Sequence, residues 1–128
     1  PPTLEIPTIL TESQRMSAVA ALILCATPLI HDGDTLRCGR EKIRIANIDA
    51  PELPGSPKCD TRRGQTGWCD FPLGYRSRDA LRSLAQGQEL RFQRPGTDPY
   101  GRPLAIVYIG RIDAGQYLVS QGLARRWR

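Results

Sequence analysis

The stretch Leu29-Ile30-His31-Asp32-Gly33-Asp34-Thr35-Leu36-Arg37-Cys38-Gly39-Arg40-Glu41-Lys42-Ile43-Arg44-Ile45-Ala46-Asn47-Ile48-Asp49-Ala50-Pro51-Glu52 decides the fold. It breaks into short apolar runs separated by turn residues. Residues 26–31 read as a first strand, 35–38 as a second and the isoleucine-rich 42–48 as a third. Asp32-Gly33-Asp34 and Gly39-Arg40 supply the turns between them. Beyond this stretch, residues 49–73 hold Pro51, Pro54, Pro57 and Pro72 with several glycines. They form one long loop, and loops of that length inside small domains tend to be functional. Residues 75–86 predict a helix, because Leu81, Leu84 and Ala85 share a face and Gly87 ends it. Strands follow at 89–94 and 104–109, joined by the turn Gly96-Thr97-Asp98-Pro99-Tyr100-Gly101. A short helix over 114–121 is stopped by Gly122.

Three strands, a helix, two strands and a helix is the order of a five-stranded OB-type Greek-key barrel with packing helices, a mainly β, α+β fold. An SH3-like barrel usually lacks the helix between strands three and four. Residues 1–24 stand apart from the 25–128 domain as an extension. Pro1, Pro2 and Pro7 make its start an extended linker. Thr11-Glu12-Ser13-Gln14 fits a capping box, so 12–24 reads either as a helix or as a strand entering the barrel. The apolar run 17–30 is broken by Pro28 and is too short for a membrane span. It also reads as the apolar region of an export signal starting at Met16, although no cleavage site fits cleanly. The Pro1-Pro2 start looks trimmed, with an upstream signal or anchor removed.

The 128 residues imply one domain. Net charge is +5 and the pI is about 9.4, with 16 Arg against 2 Lys. Guanidinium groups pair with phosphate oxygens through two parallel hydrogen bonds, so this balance points to a polyanionic partner. An arginine-biased composition in an ordinary soluble protein is the alternative. The cysteines are Cys25, Cys38, Cys59 and Cys69, with no CxxC pair and a single histidine, His31. That spacing disfavours zinc, and an even count in a small, loop-rich chain suits disulfides in an oxidising compartment, secreted or periplasmic. Cys25 and Cys38 flank the strands joined by the Asp-Gly-Asp turn, and Cys59 and Cys69 share the long loop. The expected bridges are therefore Cys25–Cys38 and Cys59–Cys69. One histidine excludes reactions that need two, such as a pancreatic-type ribonuclease or a two-histidine phosphodiesterase.

Asp32 and Asp34, two residues apart across Gly33, can face the same way, an arrangement suited to a hard cation such as Ca2+ or Mg2+. An EF-hand is excluded because its remaining acidic positions are missing. Asp49 and Glu52 bracket Pro51, which stiffens the turn. Held together they would supply a second ligand and a general base. Arg44 and Arg102 would offer two guanidiniums to a phosphate whose negative charge grows as it reacts. Each feature alone is also compatible with a solvated turn or a structural ion pair. In a flat strand Arg44 and Asp49 point to opposite faces, so they converge only if the strand ends or bulges near Ile48.

Taken in order, Asp32-Gly33-Asp34-Thr35, then Ile43-Arg44 with Asp49-Ala50-Pro51-Glu52, then Asp98-Pro99-Tyr100-Gly101-Arg102, resembles the staphylococcal nuclease (thermonuclease) family. The closing Leu118-Val119-Ser120-Gln121-Gly122-Leu123-Ala124 is similar to that family's ending, and the likeness spans about 25–128. The resemblance implies that Asp34 and Asp49 bind calcium, that Ala50 offers its backbone carbonyl, and that Asp32 flanks the metal. It implies that Glu52 activates the attacking water, that Arg44 and Arg102 hold the phosphate, and that Tyr100 lines the nucleotide pocket. The implied reaction is Ca2+-dependent hydrolysis of DNA or RNA, cutting P–O5′ and leaving a 3′-phosphate. Ala50 and Pro99 stand where the family's best-known member has threonine and lysine. The loop 53–73 departs from it and brings Lys58, Arg62 and Arg63, expected to contact nucleic acid. Trp127 stands near the place of a pocket aromatic. The competing reading is a non-catalytic OB-type module binding nucleic acid or protein. Such a module needs basic and aromatic groups rather than carboxylates that repel phosphate. DNA or RNA is the expected partner, with no stable protein partner.

Overall fold

A computed structural model of the chain describes residues 22–127. The expected first strands form an antiparallel meander of β2 (Leu29–Asp32), β3 (Thr35–Cys38) and β4 (Glu41–Ile45), preceded by β1 (Leu22–Cys25). The isoleucine-rich run does not continue to Ile48. It breaks at Ala46-Asn47 and resumes as the two-residue β5 (Ile48–Asp49). After the loop come α1 (Phe71–Ala85), β6 (Leu90–Thr97), β7 (Pro103–Ile109), β8 (Ile112–Asp113), α2 (Ala114–Ser120) and β9 (Arg125–Arg126). Seven strands make one mixed sheet, ordered β1-β6-β7-β4-β3-β2 with β8 on β7, while β5 and β9 pair separately. β4 and β7 run parallel and the other pairs antiparallel. The sheet curls into a half-barrel against the two helices, an α+β fold of OB type.

Of the segment 12–24, expected either as a helix or as a strand entering the barrel, residues 22–24 are strand, paired with β6 from Leu22↔Gln93 to Cys25↔Leu90. The rest of that segment lies outside the described residues. β6 runs three residues past the expected Arg94, through an irregularity in its pairing between Gln93 and Gly96. Pro95 has no N–H to give the ladder there. Helix α1 begins four residues before the expected Tyr75. Asp70 caps it by accepting from the Leu73 N–H at 3.1 Å, with Pro72 in the first turn.

The core is built by the inward faces of the strands. Leu36, Ile43, Ile45, Leu90, Phe92 and Val107 are fully buried, and Ile48, Leu81 and Leu118 close over them. Removing such side chains from water contributes roughly 1.5–3 kcal/mol each. Both expected disulfides are present, Cys25–Cys38 and Cys59–Cys69, and among the described residues no cysteine is free.

Two close approaches set the position of everything that follows. A Cβ on Gly74 of α1 would overlap the Glu52 carbonyl oxygen and stand 3.2 Å from its carbon. A Cβ on Gly33 would stand 2.7 Å from the Ala50 Cβ and overlap the Ser77 hydroxyl. Glycine at these two places lets α1 press against both carboxylate-bearing turns.

Candidate active site

The turn between β2 and β3 buries its carboxylates. Asp34 Oδ2 accepts from the Ala50 N–H at 2.9 Å, its Oδ1 accepts from the Thr35 hydroxyl at 3.0 Å, and Asp32 Oδ1 accepts from the Asp34 N–H at 3.1 Å. Asp34 thereby ties the first acidic turn to the second. Burial, and then the neighbouring charges of Asp34 and Glu52, push the Asp32 carboxyl up to about 8 from an ordinary 3.8.

Arg44 is buried on β4. Its Nη1 donates to the carbonyls of Ile45 and Ile48 at 3.0 Å each, and its Nη2 stands 3.7 Å from Asp34 Oδ2 and 3.8 Å from Asp49 Oδ1. The break at Ala46-Asn47 turns Asp49 back toward Arg44, which a continuous strand would forbid. The break packs against α2. Asp113, the cap of α2, accepts weakly from Asn47 Nδ2 at 3.4 Å. A Cβ on Gly115 of that helix would come within 2.6 Å of Asn47 Oδ1. The carbonyls that hold Arg44 flank the break, Ile45 before it and Ile48 after it.

Glu52 is anchored at both ends. Its N–H donates to the Trp68 carbonyl at 2.7 Å, and its carboxylate accepts from the Ser56 hydroxyl at 2.7 Å. Arg102 closes the opposite side through Asp98, whose Oδ2 accepts from Arg102 Nε at 2.5 Å while its Oδ1 accepts the backbone N–H groups of Tyr100 and Arg102. Asp32, Asp34, Arg44, Glu52, Arg102 and Lys58 line one cavity of about 530 Å3. Lys42, not singled out from the sequence, lines it too. A second cavity of about 560 Å3, between the residues before β2 and the end of α1, has no carboxylate in its lining.

Other expected site residues lie outside the first cavity. Asp49 is beside it, bridged to Arg125 at 3.0 Å. Ala50 is buried, and its N–H rather than its carbonyl is the group engaged with Asp34. Tyr100 is 84% exposed at the turn, with the Arg102 guanidinium 5.9 Å from its ring centre. Arg62 and Arg63 sit on the outer loop and pair with Asp60. Trp127 does reach the site, with the Arg44 guanidinium 4.6 Å from its ring centre. Sequence reasoning missed Ser56, Trp68 and Arg125. A loop tryptophan just ahead of Cys69 was the signal available for Trp68, and nothing local marks the other two.

Against this geometry, residues 42–128 match the family model described as staphylococcal nuclease homologue. The chain belongs to that family. An uncharacterized endonuclease of Haemophilus influenzae is 34% identical over 105 residues, covering 78% of this chain and 50% of that relative. The chain therefore spans about half the length of the relative. The family match begins at β4 and takes in Arg44, Asp49, Glu52 and Arg102; the Asp32-Gly33-Asp34 turn precedes it.

The donor chemistry of the cavity fits a hard dication. Asp32, Asp34 and Glu52 line it with carboxylates. Among the described residues no three His, Cys, Asp or Glu side chains form a ready-made cage. A cation here would keep much of its water.

Proposed function

We propose that this domain is a calcium-dependent endonuclease that hydrolyses phosphodiester bonds of DNA or RNA, cutting P–O5′ to leave a 3′-phosphate. One observation carries the reading: carboxylates and guanidiniums line a single cavity, Asp32, Asp34 and Glu52 with Arg44 and Arg102. Carboxylates alone would repel a phosphate, and arginines alone would only bind it. Family membership and a relative named as an endonuclease support the same reading.

In this reading Asp34 and Asp49 hold calcium with the Ala50 carbonyl, and Asp32 flanks it. A bound dication would supply Lewis-acid stabilisation of the phosphoryl charge there. Glu52, fixed by Ser56 and by the Trp68 carbonyl, orients a water and takes its proton as the oxygen bonds to phosphorus. The P–O5′ bond breaks, and solvent protonates the leaving oxygen. Arg44 and Arg102 are held in place before substrate arrives, so the charge that develops on phosphorus meets donors that need no reorganisation. Tyr100, Lys58, Arg62 and Arg63 extend the contact along the nucleic acid. The two disulfides support an exported protein in an oxidising compartment. Among the described residues no helix is long and apolar enough to cross a membrane.

The test is cleavage of single-stranded DNA, duplex DNA and RNA in calcium, magnesium or chelator, with identification of the product ends. Calcium-supported cutting that leaves 3′-phosphates is expected. Binding without cutting in calcium would instead favour the non-catalytic module.

A further inference from the structure

We infer that Arg125 is a positioning residue for the site: stacked on Trp68, it clamps Asp49 to the disulfide-closed loop that anchors Glu52. This rests on the roles proposed above for Asp49 and Glu52.

Three separate contacts converge on this arginine. Its Nε and Nη2 both donate to Asp49 Oδ2, at 3.1 and 3.0 Å. Its guanidinium carbon lies 4.5 Å from the centre of the Trp68 ring. Its backbone is paired directly across from Asp49 in the β5–β9 ladder, and the Trp127 N–H extends the attachment to the Asn47 carbonyl at 3.3 Å. An exposed ion pair is ordinarily worth little, because two long side chains must be ordered against water. Here the ladder sets the separation of the two residues and the ring sets the plane of the guanidinium, so that ordering is already done.

What the clamp joins gives it a function. Asp49 Oδ2 is occupied by Arg125, while Oδ1 is turned toward Arg44 and the cavity beyond it. A carboxylate held on one oxygen presents the other in a fixed direction, as second partners of metal-binding carboxylates generally do. Trp68 in turn accepts the Glu52 N–H through its carbonyl, next to Cys69 of the Cys59–Cys69 bridge. The same loop packs Gly67 against Glu52, where an added Cβ would stand 3.0 Å from the Glu52 Cγ. One guanidinium outside the cavity therefore fixes the proposed calcium carboxylate relative to the proposed base.

The test measures calcium binding by calorimetry, cleavage of single-stranded DNA and thermal unfolding on the same samples of the full chain, for Arg125→Ala, Arg125→Lys and Trp68→Phe. Loss of such a partner typically weakens metal binding or activity by about 10–100-fold. Arg125→Ala is expected to weaken calcium binding by about tenfold and to lower turnover, with the unfolding midpoint within a few degrees of wild type. Arg125→Lys should restore neither, since an ammonium has no planar fork to lie on the ring. Trp68→Phe, which keeps a ring face, should fall between wild type and Arg125→Ala. Unchanged or tighter calcium binding in Arg125→Ala, or full recovery in Arg125→Lys, overturns the clamp while leaving the nuclease reading intact. A wild-type protein that neither binds calcium nor cleaves overturns both.

Discussion

Gly74→Ala separates position from composition at this site, because it changes no polar group. Its Cβ would overlap the Glu52 carbonyl oxygen and stand 3.2 Å from the Glu52 carbon and 3.3 Å from the Pro51 oxygen. All three are backbone atoms on a turn stiffened by proline, so no side chain can swing away. Relief requires the 51–52 segment or α1 to shift, on the order of 0.5–1 Å. Overpacking of this kind costs about 1–3 kcal/mol, and alanine returns roughly 1 kcal/mol through its better helix propensity. The net loss is then about 0–2 kcal/mol, which for a domain of this size moves the unfolding midpoint by only several degrees. The effect on turnover should be far larger. A misplacement of about 1 Å in a reacting group can cost on the order of 10²-fold. Steady-state cleavage of a short single-stranded DNA in calcium, with a melting curve on the same preparation, measures both. A folded Gly74→Ala variant with wild-type turnover would refute the argument that α1 sets the position of Glu52.

Arg44→Lys should lose about 10²-fold in turnover as well as stability, since a lysine cannot serve two carbonyls and two carboxylates at once; kinetics and melting of the variant check both. A carboxyl raised to about 8 binds its proton more tightly in the folded state, so the stability contributed by protonated Asp32 is full below about pH 4 and is lost as pH rises through 8. With chelator present, the wild-type unfolding midpoint should therefore fall between pH 5 and pH 8.5 by several degrees more than that of Asp32→Asn. Replacing Cys59 and Cys69 together by serine should cost about 2–3 kcal/mol in denaturant unfolding. It should also lower turnover, because the loop it closes carries the Trp68 carbonyl that receives the Glu52 N–H.

Much of this arrangement was legible from local residue order. The Asp-Gly-Asp turn, the strands around it and the two disulfides follow from punctuation by glycine, proline and cysteine, which acts over a few residues. The start of α1 was legible too, in Asp70 and Pro72, but the apolar periodicity beginning further on drew the boundary to Tyr75. What was not legible depends on packing between distant segments. The break at Ala46-Asn47 lies against Gly115 and Asp113, more than sixty residues away, and with that break Arg44 and Asp49 meet. The pairing of Asp49 with Arg125 likewise depends on a two-residue ladder between the loop after β4 and the end of the chain. Strands that short leave no alternation to read. Arg62 and Arg63, drawn from the sequence by composition alone, lie on the exposed loop beside Asp60 rather than in the cavity.

In the proposed reaction Glu52 acts on a water at the reacting phosphate rather than merely holding its turn. Turnover, calcium binding and unfolding midpoint measured on one sample of Glu52→Gln test it most directly. The amide keeps the shape and can still accept from Ser56, so a folded protein with calcium binding within a few-fold of wild type is expected, and turnover should fall by about 10²–10⁴-fold. Wild-type turnover in that folded, calcium-binding variant would leave Glu52 with a structural role only.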